Sequence, residues 1–156
     1  MVIGASVSLV PLSLAHVDNF LRYSGDASLW TWWLRKPPID PDGMRREVEL
    51  ALAQQRDGQR VPFSIFHHAR REHIGSTSLW HIDRINLSLE IGSTWLATPF
   101  HRSGVNRECK ELLLTHAFEE PLALEEDGAQ RLAPGTRNRR PRQTQPHQKK
   151  KTRRLE

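Results

Sequence analysis

The sequence predicts an α/β fold in which amphipathic helices dock on a sheet, and three observations carry that prediction. Residues Leu87 to Thr98 alternate in period two, with Leu87, Leu89, Ile91, Ser93, Trp95 and Ala97 on one face. Val105, Cys109, Leu112, Leu113 and Ala117 then recur at spacings of three and four, leaving Arg107, Lys110 and Glu111 for the opposite side. Between the two segments lies a short loop around Ser103-Gly104, so the helix begins at a small, glycine-containing turn. Such a helix aims its unpaired N–H groups and the positive end of its dipole at whatever lies in front of it, which suits a phosphate.

The remaining elements follow in order. Val7 to Pro11 alternates and ends at a proline, predicting a first strand, and Ser13 offers an N-cap to a helix carrying Leu14, Val17, Phe20 and Leu21. Ser28 to Pro38 is aromatic and irregular, with Trp30, Trp32 and Trp33 ahead of Pro37-Pro38. Asp40 or Asp42 caps a second helix through Met44, Val48, Ala51 and Leu52, closed by Gly58. Val61 to Phe66 and His73 to Ile82 read as two further strands, and Asp83 to Asn86 as the turn into the strand at Leu87. The order is strand, two helices, a short meander and a helix.

A chain of 156 residues is ordinarily one domain. Its charge is uneven: Gly128 to Glu156 carries a net +9, whereas the first 127 residues carry −4. With Leu132 and Leu155 as its only large apolar residues, the terminal stretch cannot bury enough surface to offset its ordering entropy. The expected organisation is therefore a folded part over residues 1–121 and a disordered basic tail over 122–156. The tail's cations would attract nucleic-acid phosphates without sequence preference; an accidental, solvated tail is the plainer reading, because no aromatic residues interleave with the charges. Cys109 is the single cysteine and makes no internal disulfide, so with no signal-peptide pattern and no long apolar span the expected location is the cytoplasm, away from membranes. Cys109 on the apolar helix face reads as a small buried hydrophobe rather than a reactive thiol.

The stretch LEIGSTWLATPFHRSGVNRECKELLLTHAFEE, Leu89 to Glu120, resembles motif A of the GCN5-related N-acetyltransferases (GNAT). That family's loop reads Gln/Arg-x-x-Gly-x-Gly/Ala, and His101-Arg102-Ser103-Gly104-Val105-Asn106 matches its spacing and central glycine, departing at His101 and Asn106. The pairing of GSTSLWHID with LEIGSTWL, followed by GVNRECKELLLTHAFE, is similar to the RimJ/RimL-type branch, which acetylates ribosomal-protein N-termini and other amines. The resemblance runs from about Val7 to Glu120.

It implies the GNAT fold, a mostly antiparallel mixed sheet flanked by helices, and transfer of an acetyl group from acetyl-CoA to a primary amine, with no metal. It assigns the pyrophosphate to Arg102, Ser103, Gly104, Val105 and Asn106. The pantetheine arm falls to the strand edge at Thr94, Trp95, Leu96 and Ala97, where strands of this fold part at a bulge. Glu90, fourteen residues before Gly104, takes the place of a general base, its alternative being a solvated acid on the polar strand face. His81, Asp83 and His101 are weaker candidates. The family's usual proton donor, a tyrosine late in the domain, has no counterpart, since Tyr23 stands near the N-terminus. Trp30, Trp32 and Trp33 fall where the fold builds its acceptor wall, or else pack the first helices. His67, His68, His73 and His81 lack the carboxylate or cysteine spacing of a zinc site.

After Pro121 the family continues with a strand and a second helix, and the basic stretch stands there instead. The sequence thus predicts a domain lacking its C-terminal strand and helix, truncated or frameshifted near Leu122, with an open sheet edge and poor solubility.

Overall fold

In the computed structural model, which describes residues 1–31, 33 and 38–119, strands β1 (Val2–Ile3), β2 (Val7–Pro11), β3 (Arg60–His67), β4 (Glu72–Asp83) and β5 (Ser88–Leu96) form one sheet in that order. Each neighbouring pair is antiparallel. Helices α1 (Val17–Ser24), α2 (Pro41–Arg56) and α3 (Val105–Glu119) flank it. The expectations placed on Trp32, and on the boundary at 121 and everything beyond it, lie outside the described residues.

Local chemistry explains the helix starts. Asp40, rather than Asp42, caps α2: its Oδ1 accepts the Gly43 N–H at 2.7 Å, and Pro41 occupies the first turn, where its missing N–H costs nothing. Before α1 the chain makes a 3-10 turn over Leu14–His16, in which the His16 ring accepts the Ser13 N–H at 3.1 Å. The α-helix therefore starts at Val17. The aromatic segment also contains a 3-10 turn, Ala27–Trp30, opened by Asp26, whose carboxylate accepts the Ser28 N–H at 2.9 Å. The short strand β1 has no periodicity to announce it and exists through its pairing with β2.

Two cores form, one on each side of the sheet. Val105, Cys109 and Leu113 of α3 pack with Val7, Leu9, Ile65, Ile74 and Leu96. Phe20 of α1 and Met44, Val48 and Ala51 of α2 pack with Trp30 and Trp95. Each large side chain so buried contributes roughly 1.5–3 kcal/mol.

Adjacent residues Trp95 and Leu96 enter opposite cores on a strand that carries a bulge. Ser76 pairs with Trp95 but Ser78 pairs with Gly92, so Thr77 faces both Ser93 and Thr94, and Ser93 takes a φ of +47°. This corrects the single apolar face expected from Leu87 to Ala97: the extra residue inverts the alternation, placing Leu89 and Ile91 with the α3 core and Trp95 with the other. Leu87 belongs to neither, being 89% exposed in the preceding turn. Just past the bulge β4 presses on β5 so closely that a Cβ at Gly75 would lie 2.3 Å from the Trp95 carbonyl oxygen, and only glycine fits.

Two polar contacts brace this arrangement. Glu108 of α3 accepts the Ser6 N–H at 2.8 Å, the Ser6 hydroxyl, and the Val7 N–H at 3.4 Å, tying the helix to the β1–β2 connection. Burial raises the Glu108 pKa, but these hydrogen bonds outweigh it and hold the carboxyl below its ordinary range. Across the sheet, the rings of His16 and His73 stack at 4.0 Å, and His73 Nδ1 lies 2.7 Å from Ser64 Oγ. Burial, and then the neighbouring His73, push His16 down to about 4, while burial alone lowers His73.

Replacing Glu108 by Ala strands the Ser6 donors and is expected to lower stability by about 1–3 kcal/mol in a urea melt; an unchanged midpoint would show that the clamp is dispensable. The unfolded chain protonates both histidines near the ordinary 6.5, whereas the fold resists it, so stability is full above that value and declines as the pH falls toward about 4. Thermal melts across this window should show the decline, and His16→Gln should flatten it.

Candidate active site

The loop that joins β5 to α3 is shaped by a run of local hydrogen bonds. Phe100 N–H donates to Ala97 O at 2.9 Å, His101 N–H to Thr98 O at 3.0 Å, and the His101 ring, through Nε2–H, to Leu96 O at 2.7 Å. That last bond fixes the ring and leaves Nδ1 as the nitrogen that carries the lone pair. The Ser103 hydroxyl donates to Phe100 O at 2.6 Å. Arg102 at φ +58° and Gly104 at φ +90° then turn the chain into α3. A Cβ at Gly104 would meet no atom within 4 Å, although its φ disfavours any residue but glycine.

The backbone amides of Arg102, Ser103, Gly104 and Asn106 have no acceptor among the described residues. They are grouped at the start of a helix of 15 residues, where the dipole favours an anion. Beside them opens a cleft of about 720 Å³, walled by Ser28, Leu29, Trp33, Ser93, Thr94, Trp95, Leu96, His101, Arg102, Asn106 and Lys110. No carboxylate is among these residues. Arg102 and Lys110 bring two cations to these walls.

Six residues expected at the site, Trp33, Thr94, Trp95, Leu96, Arg102 and Asn106, do meet in these walls, together with the weaker candidate His101. Others contribute differently. Ser103 is spent on the loop, Val105 is buried beneath the helix start, and Ala97 is fully buried in the core under α3. Trp30 is buried, donating its Nε1–H to Ser24 O at 2.7 Å, and lines a separate cavity of about 30 Å³ with Trp33, Met44, Arg60 and Trp95. Glu90 stands outside the cleft walls near the far end of β5, its side chain 70% exposed and 3.2 Å from His81 Nδ1. Asp83 accepts from the Ile85 and Asn86 amides of the hairpin turn, both at 2.9 Å. Tyr23 lies edge-on to Phe100 at 6.4 Å, outside the walls, its hydroxyl pKa raised by burial and by Glu72.

Lys110 corrects the sequence reading most clearly. Expected on the polar side of α3, it is half-buried and donates from Nζ to Thr94 Oγ1 at 2.6 Å, while Thr94 Oγ1 lies 2.8 Å from Thr77 Oγ1. Burial lowers its pKa from the ordinary lysine value. The signal was present in the spacing, because Asn106 and Lys110 stand four apart and so share the cleft side of the helix. Ser28 and Leu29 were missed altogether. Their wall is drawn to the loop by Asp26, which accepts the Thr98 hydroxyl at 2.5 Å, a bond that with those from Ser28 keeps the Asp26 carboxyl below its usual range.

Cys109 is fully buried, and burial pushes its thiol up to about 11. Among the described residues no group of three His, Cys, Asp or Glu side chains could hold a metal ion, and no helix is long and apolar enough to cross a membrane. His68 bonds Ser8 Oγ at 2.8 Å, and His73 and His81 have the partners already described.

Comparison with known proteins follows the same line. Among solved structures, a T. thermophilus protein assigned as an acetyltransferase is 34% identical, with a TM-score of 0.64 over 76% of this chain and 60% of its own. A GCN5-related N-acetyltransferase from Brucella melitensis shares the fold at 24% identity, TM-score 0.69, over 76% of this chain and 54% of its own. RimL, a ribosomal L7/L12 alpha-N-protein acetyltransferase in its apo form, does so at 22% identity, TM-score 0.62, over 73% and 61%. The chain thus spans less than two thirds of the length of each of these proteins. Curated proteins give no match. The family model described as an acetyltransferase (GNAT) domain matches residues 6–141, and the chain belongs to that family.

Proposed function

We propose that this chain acts as an acetyl-CoA-dependent N-acetyltransferase on a primary amine, a protein N-terminus or a small amine, in the manner of the RimJ/RimL-type branch. The observation that carries the reading is the group of unpaired amides of Arg102, Ser103, Gly104 and Asn106 at the start of α3, with room for a Cβ at Gly104. In this reading the diphosphate of coenzyme A accepts those hydrogen bonds, and Arg102 adds its charge. The pantetheine arm runs along the β5 edge past Leu96 toward the Ser93–Thr94 bulge, where Lys110 supplies a second cation within the cleft. The acetyl group then arrives beside Trp33, Ser93 and Trp95, with Trp33 on the acceptor side and Trp30 packed behind it.

The chemistry is direct attack of a neutral amine on the thioester carbon. A covalent acetyl-enzyme through Cys109 is disfavoured, because that thiol is buried in the core and held as the poorly nucleophilic protonated form. Glu90 takes the ammonium proton through intervening water in this reading, since its carboxylate is exposed and stands away from the cleft walls.

Calorimetry with acetyl-CoA tests the central point. Saturable binding is expected, weakened at least roughly 100-fold by Gly104→Asp, which adds left-handed backbone strain and a negative charge at the amide arc. Equal binding by the variant would contradict the assignment. For Glu90→Gln, steady-state kinetics should show kcat reduced roughly 100-fold with the acetyl-CoA dissociation constant unchanged; an undiminished kcat removes Glu90 from the mechanism.

A further inference from the structure

The indole Nε1–H of Trp33 is buried and meets no hydrogen-bond acceptor. A donor in that state has given up water and gained nothing in return, an arrangement that native structures keep for a reason. Neighbouring groups hold the residue in place: its ring stands edge to face with Trp30 at 5.3 Å, and its backbone N–H donates to Trp30 O at 2.9 Å.

Its position supplies the reason. Trp33, Ser93 and Trp95 are the residues that line both the cleft of about 720 Å³ and the cavity of about 30 Å³, so they form the partition between the two. Ser93 is the bulge residue at φ +47°, its hydroxyl held by Trp80 Nε1–H at 3.1 Å. Trp33, which carries the unpaired donor, therefore stands in the wall that a ligand extending from the amide arc along β5 would reach.

We infer that Trp33 is a catalytic residue whose Nε1–H donates to the thioester carbonyl oxygen and holds the negative charge formed there; this rests on the acetyl-CoA reading above. The amine lone pair forms the C–N bond while the carbonyl π pair moves onto oxygen, in front of the indole. That pair returns to re-form C=O, the C–S bond breaks, and its electrons leave with sulfur. The proton shed by the amine nitrogen passes to solvent or to the thiolate. Indole suits the task, because it is a donor only and a fixed ring needs no reorganisation as charge develops.

The test uses the full chain. In the wild-type protein the indole N–H proton resonance of Trp33, assigned by its loss in Trp33→Phe, should shift with acetyl-CoA and not with CoA, which lacks the thioester carbonyl. Trp33→Phe, which keeps a ring and deletes the donor, should lower kcat roughly 100-fold while acetyl-CoA binds as before. A resonance indifferent to the acyl group, or a Phe variant with full kcat, overturns the assignment; should the variant not fold, the wild-type resonance, assigned by elimination against the other tryptophans, decides. If the wild-type protein binds neither ligand in calorimetry, the coenzyme reading falls and takes this one with it. Binding with an indifferent Trp33 overturns this inference alone.

Discussion

One extra residue in β5, where Ser93 and Thr94 together oppose Thr77, is the constraint from which the site follows. A two-against-one bulge inverts the faces of everything beyond it. Trp95 is thereby sent to the core of α1 and α2, Leu96 to the core under α3, and Thr94 toward Lys110. Without it Trp95 would point at α3, where Cys109 and Leu113 are already fully buried and leave no space for an indole. Gly75 is the counterpart on β4, since its missing Cβ lets the strands stay in register just past the distortion.

The second requirement is that α3 point its amides in one direction. Apolar packing of Val105, Cys109 and Leu113 sets its depth, but a helix on a sheet can still slide or rotate. Glu108 prevents this on one side through Ser6 and Val7, and Lys110 on the other through Thr94. The same two contacts divide the charge. The carboxylate is consumed at the β1–β2 connection, and both cations, Arg102 and Lys110, are left to the cleft. The amides at the start of α3 are thereby held as a fixed array of donors.

Much of this was legible in the residues. The helix starts near Asp40 to Asp42 and at Gly104, and the meander of β3 to β5, each depend on local spacing and turn chemistry, which a single sequence displays. What escaped depends on partners distant in the chain. The bulge is a property of pairing between β4 and β5, so the alternation from Leu87 to Ala97 concealed it. Lys110 was read as solvated because lysine is polar, yet its long apolar stem lets the amine be carried inward. Glu90 matched a family interval and still lies outside the cleft walls, since an interval along one strand does not say which space a side chain enters.

The central claim is that the amides at the start of α3 grip a diphosphate. A crystal structure of the protein grown with coenzyme A tests it most directly. The account predicts diphosphate oxygens within hydrogen-bond distance of the amides between Arg102 and Asn106, with the pantetheine arm along β5 toward Ser93. Coenzyme A bound elsewhere, or a diphosphate held by side chains away from Gly104, would contradict it.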